Sequence, residues 1–211
     1  MTARTARASY VPRPNRGDHR RAQLLEALEQ LLADRPLADI GIADISSAAG
    51  VTRSAFYFYF PTKPAAVAAL LADFREEMER AGAPWYEGHT GAPLDRIKAA
   101  VDASIRLWRD HASLLAAMLD GIATDPEVRE IWETWTDGFV DQITARIIKD
   151  RDDGHPHTTS EPRDLATVLM GATLYTMERD VRAIATGHAP PETIATALIE
   201  LWHRTLYDQR Q

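Results

Sequence analysis

Residues 39–63 read DIGIADISSAAGVTRSAFYFYFPTK, and this stretch decides the fold of the chain. Its first half carries apolar residues at helical spacing, which predicts a helix with one apolar face: Ile42, Ile45, Ala48 and Ala49. Gly50 then permits the positive φ angle of a sharp turn, and the Thr52 hydroxyl suits the cap of a second helix over about residues 53–59. A helix that short is stable only when other helices hold it. A braced short helix after a tight turn is what a helix-turn-helix presents to the major groove of DNA.

Five consecutive aromatic residues, from Phe56 to Phe60, occupy the second helix. Phe56 and Phe60 are four residues apart, so we expect them to share the buried face of that helix. Tyr57 then points to the other side with its hydroxyl available, and Tyr59 lies near the helix end. Side chains that suit phosphate oxygens stand close by: Arg53, Ser54 and Lys63. The aromatic run is also β-prone, so a strand is the alternative, although the chain offers it no partner strand.

Residues 49–63 resemble the DNA-binding signature of the TetR family of bacterial transcriptional regulators. The resemblance implies an all-α homodimer in which each chain has a three-helix helix-turn-helix DNA-binding domain and a helical domain for effector binding and dimerisation. It also implies two partners, a double-stranded DNA operator and a small-molecule effector. The residues that it places on the DNA are Thr52, Arg53, Ser54, Ala55, Tyr57, Tyr59 and Lys63. Gly41 and Ser54 depart from the family pattern, which commonly has Thr or Ser at the first position and Gly at the second.

The sequence is further similar to one branch of this family, the EthR type, whose pockets take apolar ligands. The similarity lies in the motif variant FYFYFPTK and in Trp132, Trp202, Glu178 and Arg179. It implies a repressor that an apolar small molecule releases from a palindromic operator. The word repressor comes from the family and not from the residues, so a transcriptional activator is the alternative.

Large apolar side chains are abundant in the second part of the chain, which holds all five tryptophans. The simplest interpretation is a hydrophobic core. Five tryptophans are nevertheless hard to pack without gaps, and cavities lined by apolar and aromatic groups are the usual ligand sites. We therefore predict an apolar or amphiphilic effector between the helices at 93–109, 127–149 and 162–187. The candidate residues are Ile97, Val101, Ser104, Trp108, Met118, Trp132, Thr136, Phe139, Leu174, Met177 and Trp202.

The composition of the 211 residues, 45% apolar and 26% charged, predicts a globular chain. No run approaches the roughly 18 consecutive apolar residues of a membrane helix, and no apolar signal-peptide core follows the first arginines. The absence of cysteine excludes disulfides, thiolate chemistry and Cys-based zinc sites. These observations favour a cytoplasmic protein without a membrane partner.

The net charge of −7 at first argues against DNA binding. The charge is divided unevenly, because residues 1–63 hold nine Lys and Arg against six Asp and Glu, a net charge of +3. The remaining residues hold 15 basic against 25 acidic side chains, a net charge of −10. A basic head on an acidic body attracts phosphate on one face only, as a DNA-binding regulator requires.

Three parts are predicted along the chain: a flexible basic arm over 1–17, the helix-turn-helix DNA-binding domain over 18–63, and the effector-binding and dimerisation domain over 64–211. The arm carries four arginines and no acidic residue, and it either enters the adjacent minor groove of DNA or is a solvated tail. Asp18 is the predicted cap of the first helix. The residues at 82–93, which contain several Gly and Pro, are expected to form a loop.

The last two helices, predicted at 162–187 and 190–209, carry apolar residues on more than one side. A helix that is apolar on two sides needs two partners. One side can pack inward, and the other can meet its copy in a second subunit in a four-helix interface with two-fold symmetry. The two DNA-binding domains would then read half-sites about 34–36 Å apart, or a multiple of that distance.

Two other classes of function compete with a regulator. An enzyme would need a nucleophile–base pair, a carboxylate pair in a cleft or a cofactor loop, and no sequence motif indicates one, so we expect neither catalysis nor a cofactor. His155 and His157 could bind a metal, but two histidines in a polar loop are more often solvated, and we predict no metal site. A non-specific DNA organiser is the second alternative, which would show no preferred palindrome.

Overall fold

The chain folds into helices throughout the part that the computed structural model describes, residues 16–88, 90–154, 159–191 and 193–207, with side chains from residue 19 onward. The predicted all-α class is confirmed. Most of the predicted arm, together with His155 and His157, lies outside the described residues. The helices in chain order are α1 (Arg16–Asp34), α2 (Ile42–Ala48), α3 (Arg53–Tyr59), α4 (Lys63–Tyr86), α5 (Pro93–Asp110), α6 (Ala112–Ile122), α7 (Pro126–Asp152), α8 (Pro162–Ala185) and α9 (Thr193–Tyr207), with a 3-10 turn at Leu37–Asp39.

The turn between α2 and α3 has the geometry that the sequence predicts. Gly50 has a φ angle of 66°, in the left-handed region that glycine enters without strain. Thr52 Oγ1 accepts a hydrogen bond from the Ala55 amide at 3.2 Å and so caps α3. The aromatic run therefore forms a helix, and the alternative of a strand is wrong.

The start of α2 is fixed without the Thr or Ser that the family pattern would supply. Gly41 has no side chain to cap the helix, but Asp44 Oδ2 accepts a hydrogen bond from the Gly41 amide at 2.8 Å. The same carboxylate oxygen lies 3.4 Å from Arg35 Nη2. Ile45 is fully buried whereas Ala48 is exposed, so the apolar face of α2 is narrower than predicted.

The buried apolar residues around the helix-turn-helix form one group, which we name the head cluster. Its members are Leu24, Leu25, Leu28, Leu32, Leu37, Ile40, Ile45, Phe56, Phe60, Ala66, Val67, Leu70, Leu71, Leu114, Ala117, Met118 and Val128. α1 packs against α2 and α3 in this cluster, where Leu28, Ile45 and Phe56 are all completely buried. The last four members come from α6 and α7, so the core of the head extends beyond residue 63.

A second apolar group, the body cluster, is built from α4 to α9. It includes Phe74, Trp85, Trp108, Trp135, Phe139, Met177 and Trp202. A partly buried ion pair ties α5 to α8, since Arg109 Nε and Nη2 donate to the buried Asp180 Oδ2 at 2.9 Å and 2.7 Å. Because α4 supplies buried residues to both clusters, it physically connects the head to the body.

The predicted loop at 82–93 is wrong in its first part, because α4 extends into it. The helix continues through Pro84 and ends at Tyr86. Trp85 is buried in the body cluster and donates from Nε1 to the Tyr207 hydroxyl at 3.1 Å, which holds the last turn of α4 in place. Tertiary packing here outweighs the weak helix propensity of glycine and proline.

The other helix ends agree with the sequence to within a few residues. α1 begins at Arg16, so Asp18 lies in its first turn and is not the cap residue that we predicted. α7 is capped by Asp125, whose Oδ1 accepts from the Glu127 amide at 2.9 Å. α8 ends at Ala185 and α9 begins at Thr193, which makes both helices slightly shorter than predicted.

Candidate nucleic-acid interface and internal cavity

α3 has a buried side and an outward side. Phe56 and Phe60 are buried in the head cluster, as predicted. Four of the predicted DNA-contacting residues are exposed: Thr52, Arg53, Ser54 and Tyr57. Ala55 and Tyr59 are partly buried and lie between the two sides. The aromatic anchors therefore hold α3 on the head and leave its start and its outward side free to meet a partner.

Phe58 is a prominent residue of the outward side that the sequence reasoning misses. It is 80% exposed, although it is a large apolar side chain. Its ring meets the Tyr59 ring edge-on, with 5.0 Å between the centroids. The sequence does indicate this exposure. Phe58 lies two residues from both Phe56 and Phe60, which is about half a helical turn, so it falls on the opposite side of the helix. Ser54 and Phe58, one turn apart, are both exposed on this side of α3.

Lys63, one of the predicted DNA contacts, is hydrogen-bonded within the protein. Its Nζ donates to the carbonyl oxygens of Leu37 and Ile40, at 2.6 Å and 2.9 Å. The ammonium group thus ties the start of α4 to the 3-10 turn before α2, and two of its three N–H donors are used there. Burial lowers the pKa of Lys63, while the charges of Asp125 and Asp39 act in the opposite direction.

An internal cavity of about 70 Å³ lies in the body cluster, between α4, α5, α7, α8 and α9. Its lining is almost wholly apolar and aromatic, as in most small-molecule sites. The volume suffices for a few water molecules, so a larger ligand would require side chains to move. The lining residues are Met78, Gly82, Trp85, Tyr86, Ile97, Ala100, Val101, Ser104, Trp108, Phe139, Ile143, Met170, Thr173, Met177 and Trp202.

Seven of the eleven predicted effector residues line this cavity: Ile97, Val101, Ser104, Trp108, Phe139, Met177 and Trp202. The other four lie elsewhere. Met118 is buried in the head cluster, and Trp132 stacks on Trp135 with 5.0 Å between ring centroids, packed against both clusters. Thr136 donates to a carbonyl oxygen of its own helix, and Leu174 packs beside the body cluster without reaching the cavity.

The last turns of α4 complete the cavity wall, and the sequence reasoning misses them because it assigns them to a loop. Gly82, Trp85 and Tyr86 all line the cavity. A side chain at position 82 would place its Cβ 2.4 Å from Tyr86 Cε2. Glycine therefore lets the Tyr86 ring lie against its own helix at the edge of the cavity.

Few polar groups line the cavity. Thr173 Oγ1 is already bonded, since it accepts from Trp202 Nε1 at 3.0 Å. Within the described part of the chain, the Ser104 hydroxyl and the buried Trp108 Nε1 make no hydrogen bond. Burial raises the pKa of the Tyr86 phenol, which is therefore protonated at neutral pH.

The described residues offer little to other classes of function. None of the described helices is both long and apolar enough to cross a membrane. Over the same ranges, no three His, Asp or Glu side chains are grouped so that they could hold a metal ion. The buried carboxylates Asp150 and Asp180 instead pair with Arg146 and Arg109.

Two stretches of the chain match the sequence profiles of known protein families. Residues 24–70, which hold α2 and α3, match the profile of bacterial regulatory proteins of the tetR family. Residues 97–208, which hold much of the cavity lining, match the C-terminal domain of the transcriptional regulator EthR.

Similar proteins align with most or all of the chain. The HTH-type transcriptional regulator EthR of Mycobacterium tuberculosis is 30% identical over 220 residues, covering 100% of both chains. A TetR-family transcriptional regulator from Syntrophomonas wolfei has a similar fold, with a TM-score of 0.76 and 14% identity over 90% of this chain and 95% of its own. A SmeT–triclosan complex gives a TM-score of 0.67 and 19% identity over 87% of this chain and 90% of its own.

Proposed function

The chain belongs to the TetR family of bacterial transcriptional regulators, and from that membership we propose a dimeric, ligand-responsive DNA-binding repressor. In this proposal α3 holds the protein on a palindromic operator in the bacterial cytoplasm, and a small molecule in the internal cavity releases it. The observation that carries the proposal is α3 itself. Phe56 and Phe60 anchor it in the head cluster, while exposed polar and aromatic side chains occupy its other side.

The exposed residues of α3 suit the two kinds of DNA contact. The Arg53 guanidinium and the hydroxyls of Thr52, Ser54 and Tyr57 suit phosphate oxygens, which position a protein on the duplex. The Phe58 ring suits an apolar base edge in the major groove, such as a thymine methyl group. We therefore add Phe58 to the proposed DNA-contacting residues and remove Lys63.

The cavity supports an effector with a large apolar part, since its lining is apolar and aromatic. α4 gives such a ligand a route to the DNA, because it begins at Lys63 in the head and reaches the cavity with Met78 and Gly82. A ligand that displaces α4 would move the head. To release DNA, it must bind the released arrangement more tightly, typically by about 1–3 kcal/mol.

Exposed apolar residues on α8 and α9 support a homodimer. Val168 and Tyr175 are 67% and 64% exposed, and they lie on one side of α8 because they are seven residues apart. Gly171 lies between them with open space around its Cα. Leu201 is exposed on α9. Pairing these helices with a second copy would bury this side in the four-helix interface predicted above.

Footprinting on the DNA upstream of the gene for this chain tests the proposal, with affinity measured over a series of salt concentrations. We expect a protected palindrome of about 20–35 base pairs, two half-sites read by two heads. We also expect affinity to fall steeply as salt rises, because phosphate contacts release counterions. Apolar compounds can then be screened for release of the protein.

Other outcomes would favour the alternatives. Binding without a preferred palindrome would indicate a non-specific DNA organiser. A promoter whose output rises when the protein binds would indicate an activator. No binding at low salt by a folded dimer, to this region or to random DNA, would contradict a DNA-binding function.

A further inference from the structure

Two buried arginines converge on the connection between α4 and α5. Arg96 is 8% exposed and Arg146 is 5% exposed. Arg96 Nη1 donates to the Gly88 carbonyl oxygen at 3.0 Å, and Arg146 Nη1 donates to the same oxygen at 3.2 Å and to the Tyr86 carbonyl oxygen at 3.0 Å. Two guanidinium groups thus share one neutral acceptor.

The charges of this pair are not balanced. Arg146 Nη2 lies 2.8 Å from Asp150 Oδ1, in an ion pair without hydrogen-bond alignment. No carboxylate of the described residues pairs with Arg96, whose Nε and Nη2 are buried without a hydrogen-bond partner. A buried charge is unfavourable unless it has a partner of opposite sign. One positive charge is therefore left without a counter-charge.

The start of α5 adds to the positive potential. Arg96 is the fourth residue of α5, where the helix dipole disfavours a cation and favours an anion. The N-cap residue Ala92 makes no side-chain hydrogen bond to the first amides of the helix. Asp95 in the same turn is exposed and does not balance Arg96. Helix and guanidinium both favour a negative group at this place.

The positive site adjoins the internal cavity. Ile97, the next residue, lines the cavity, and so does Ala100, one helical turn beyond Arg96 on the same side of α5. Trp85 lines the cavity, and the Arg146 guanidinium carbon lies 5.9 Å from its ring centroid. An apolar chain in the cavity could therefore bring a group at its end to the two arginines.

An outer cleft reaches the same place from the surface. Tyr86 lines both the cavity and this cleft, and Arg146 forms part of the cleft wall. Glu79 and Glu87 also line the cleft, together with Lys149. The cleft wall is thus mixed in charge, and Arg96, which carries the unbalanced charge, is not part of it.

We propose that the effector is an amphiphile with an anionic head, a carboxylate on an apolar chain, whose head binds Arg96 and Arg146 while its tail fills the cavity. The proposal rests on the effector role proposed for the cavity above. A carboxylate would replace the Gly88 carbonyl as the acceptor, since a guanidinium binds it through two parallel hydrogen bonds. The Gly88 carbonyl, which follows the C-terminal end of α4, would then lose its hydrogen bonds to the two arginines. Lys63 lies at the other end of the same helix.

Matched acids and alcohols test the head group directly. Hexanoate, octanoate and decanoate are compared with hexanol, octanol and decanol by tryptophan fluorescence and by thermal shift of the full chain. We expect each carboxylate that fits to bind about tenfold more tightly than its alcohol at neutral pH. Arg96→Met should abolish this preference by lowering the affinity for the carboxylates to that for the alcohols. Arg106→Met is the control, because Arg106 is an exposed arginine of the same helix.

The possible failures are distinguishable. Equal affinity of acid and alcohol for the unmodified protein would overturn the anionic head and leave the effector cavity standing. Binding of neither series would contradict both proposals. A preference for acids that survives in Arg96→Met would also overturn the assignment. If that variant does not fold, Arg96→Lys carries the test, since it keeps the charge but loses the planar fork and should reduce the preference.

Discussion

Phe58 and Lys63 are five residues apart, yet one points outward from the head and the other is bonded within it. Phe58 has its ring in solvent, where a free protein gains nothing from it. Lys63 has its ammonium group on two carbonyl oxygens that precede α2. A substitution at Phe58 should therefore change DNA affinity and not stability, whereas a substitution at Lys63 should change stability.

We expect Phe58→Ala to lower operator affinity by about 10- to 100-fold, the usual effect of losing one base contact. The free energy of unfolding should stay unchanged, because the ring is exposed in the free protein. Titration of the operator found by footprinting measures the first quantity and urea denaturation the second. Replacing the contacted thymine by uracil, which lacks the methyl group, should weaken binding of the unmodified protein but not of the variant.

Lys63→Met is the matched variant with the reverse expectation. It should lower the free energy of unfolding by about 2–3 kcal/mol, because two carbonyl oxygens lose a charged donor. The dependence of DNA affinity on salt should keep its slope, because no phosphate contact is lost. A shallower slope with unchanged stability would contradict the role assigned to Lys63 and return it to the DNA interface.

The difference between these residues also shows how far sequence reasoning reaches. The places of Thr52, Phe56 and Phe60 could be predicted because a cap and a pair of residues four apart are visible within one turn of helix. The hydrogen bonds of Lys63 could not, because its two acceptors are 26 and 23 residues away along the chain. Spacing identifies a local partner, whereas a distant partner appears only when the chain has folded.

At the scale of helices, periodicity predicts where a helix lies better than where it ends. α4 passes Gly82 and Pro84 because Trp85 finds a partner in Tyr207, which is 122 residues away. The extended end of α4 also explains why the predicted effector site lacked three residues of the cavity wall. A segment assigned to a loop could not be expected to supply Gly82, Trp85 and Tyr86 to the cavity.

Two buried methionines, one in each apolar cluster, can test whether the head and the body respond separately to a loss of packing. Met118 of α6 is buried in the head cluster, and Met177 of α8 is buried in the body cluster. Each change to alanine should lower the free energy of unfolding by about 2–5 kcal/mol. Only Met118→Ala should speed amide hydrogen exchange in α1–α3 and weaken DNA binding. Met177→Ala should instead enlarge the cavity and favour longer apolar probes.

Hydrogen exchange followed by mass spectrometry separates these effects by helix. Equal acceleration in α1–α3 for both variants would mean that the two clusters do not respond separately. Unchanged exchange there in Met118→Ala would mean that α6 does not support the head.

At the scale of the whole molecule, the exposed apolar side of α8 should decide the oligomeric state. Tyr175→Glu would bury two unpaired carboxylates in a two-fold interface, one from each subunit. We expect the dimer dissociation constant to rise by about 100-fold or more, and binding to the full palindrome to be lost with it. Light scattering coupled to size-exclusion chromatography measures the state of the protein.

Ile148→Glu provides the control for this variant. Ile148 is also an exposed apolar residue, but it belongs to α7. The Ile148→Glu protein should remain dimeric, since the proposed interface uses only α8 and α9. Dissociation of the Ile148 variant together with a stable Tyr175 variant would place the interface on a different face.

The shared head cluster also limits how this protein can change through evolution. Part of the apolar surface against which α1, α2 and α3 pack comes from α6 and α7, through Leu114, Ala117, Met118 and Val128. A head grafted onto another body would bring an apolar underside that the new body was not shaped to fill. Exchange of whole domains is therefore a poor route to a new operator. Single substitutions on the outward side of α3 leave this packing intact, and they are therefore the more accessible way to a new operator.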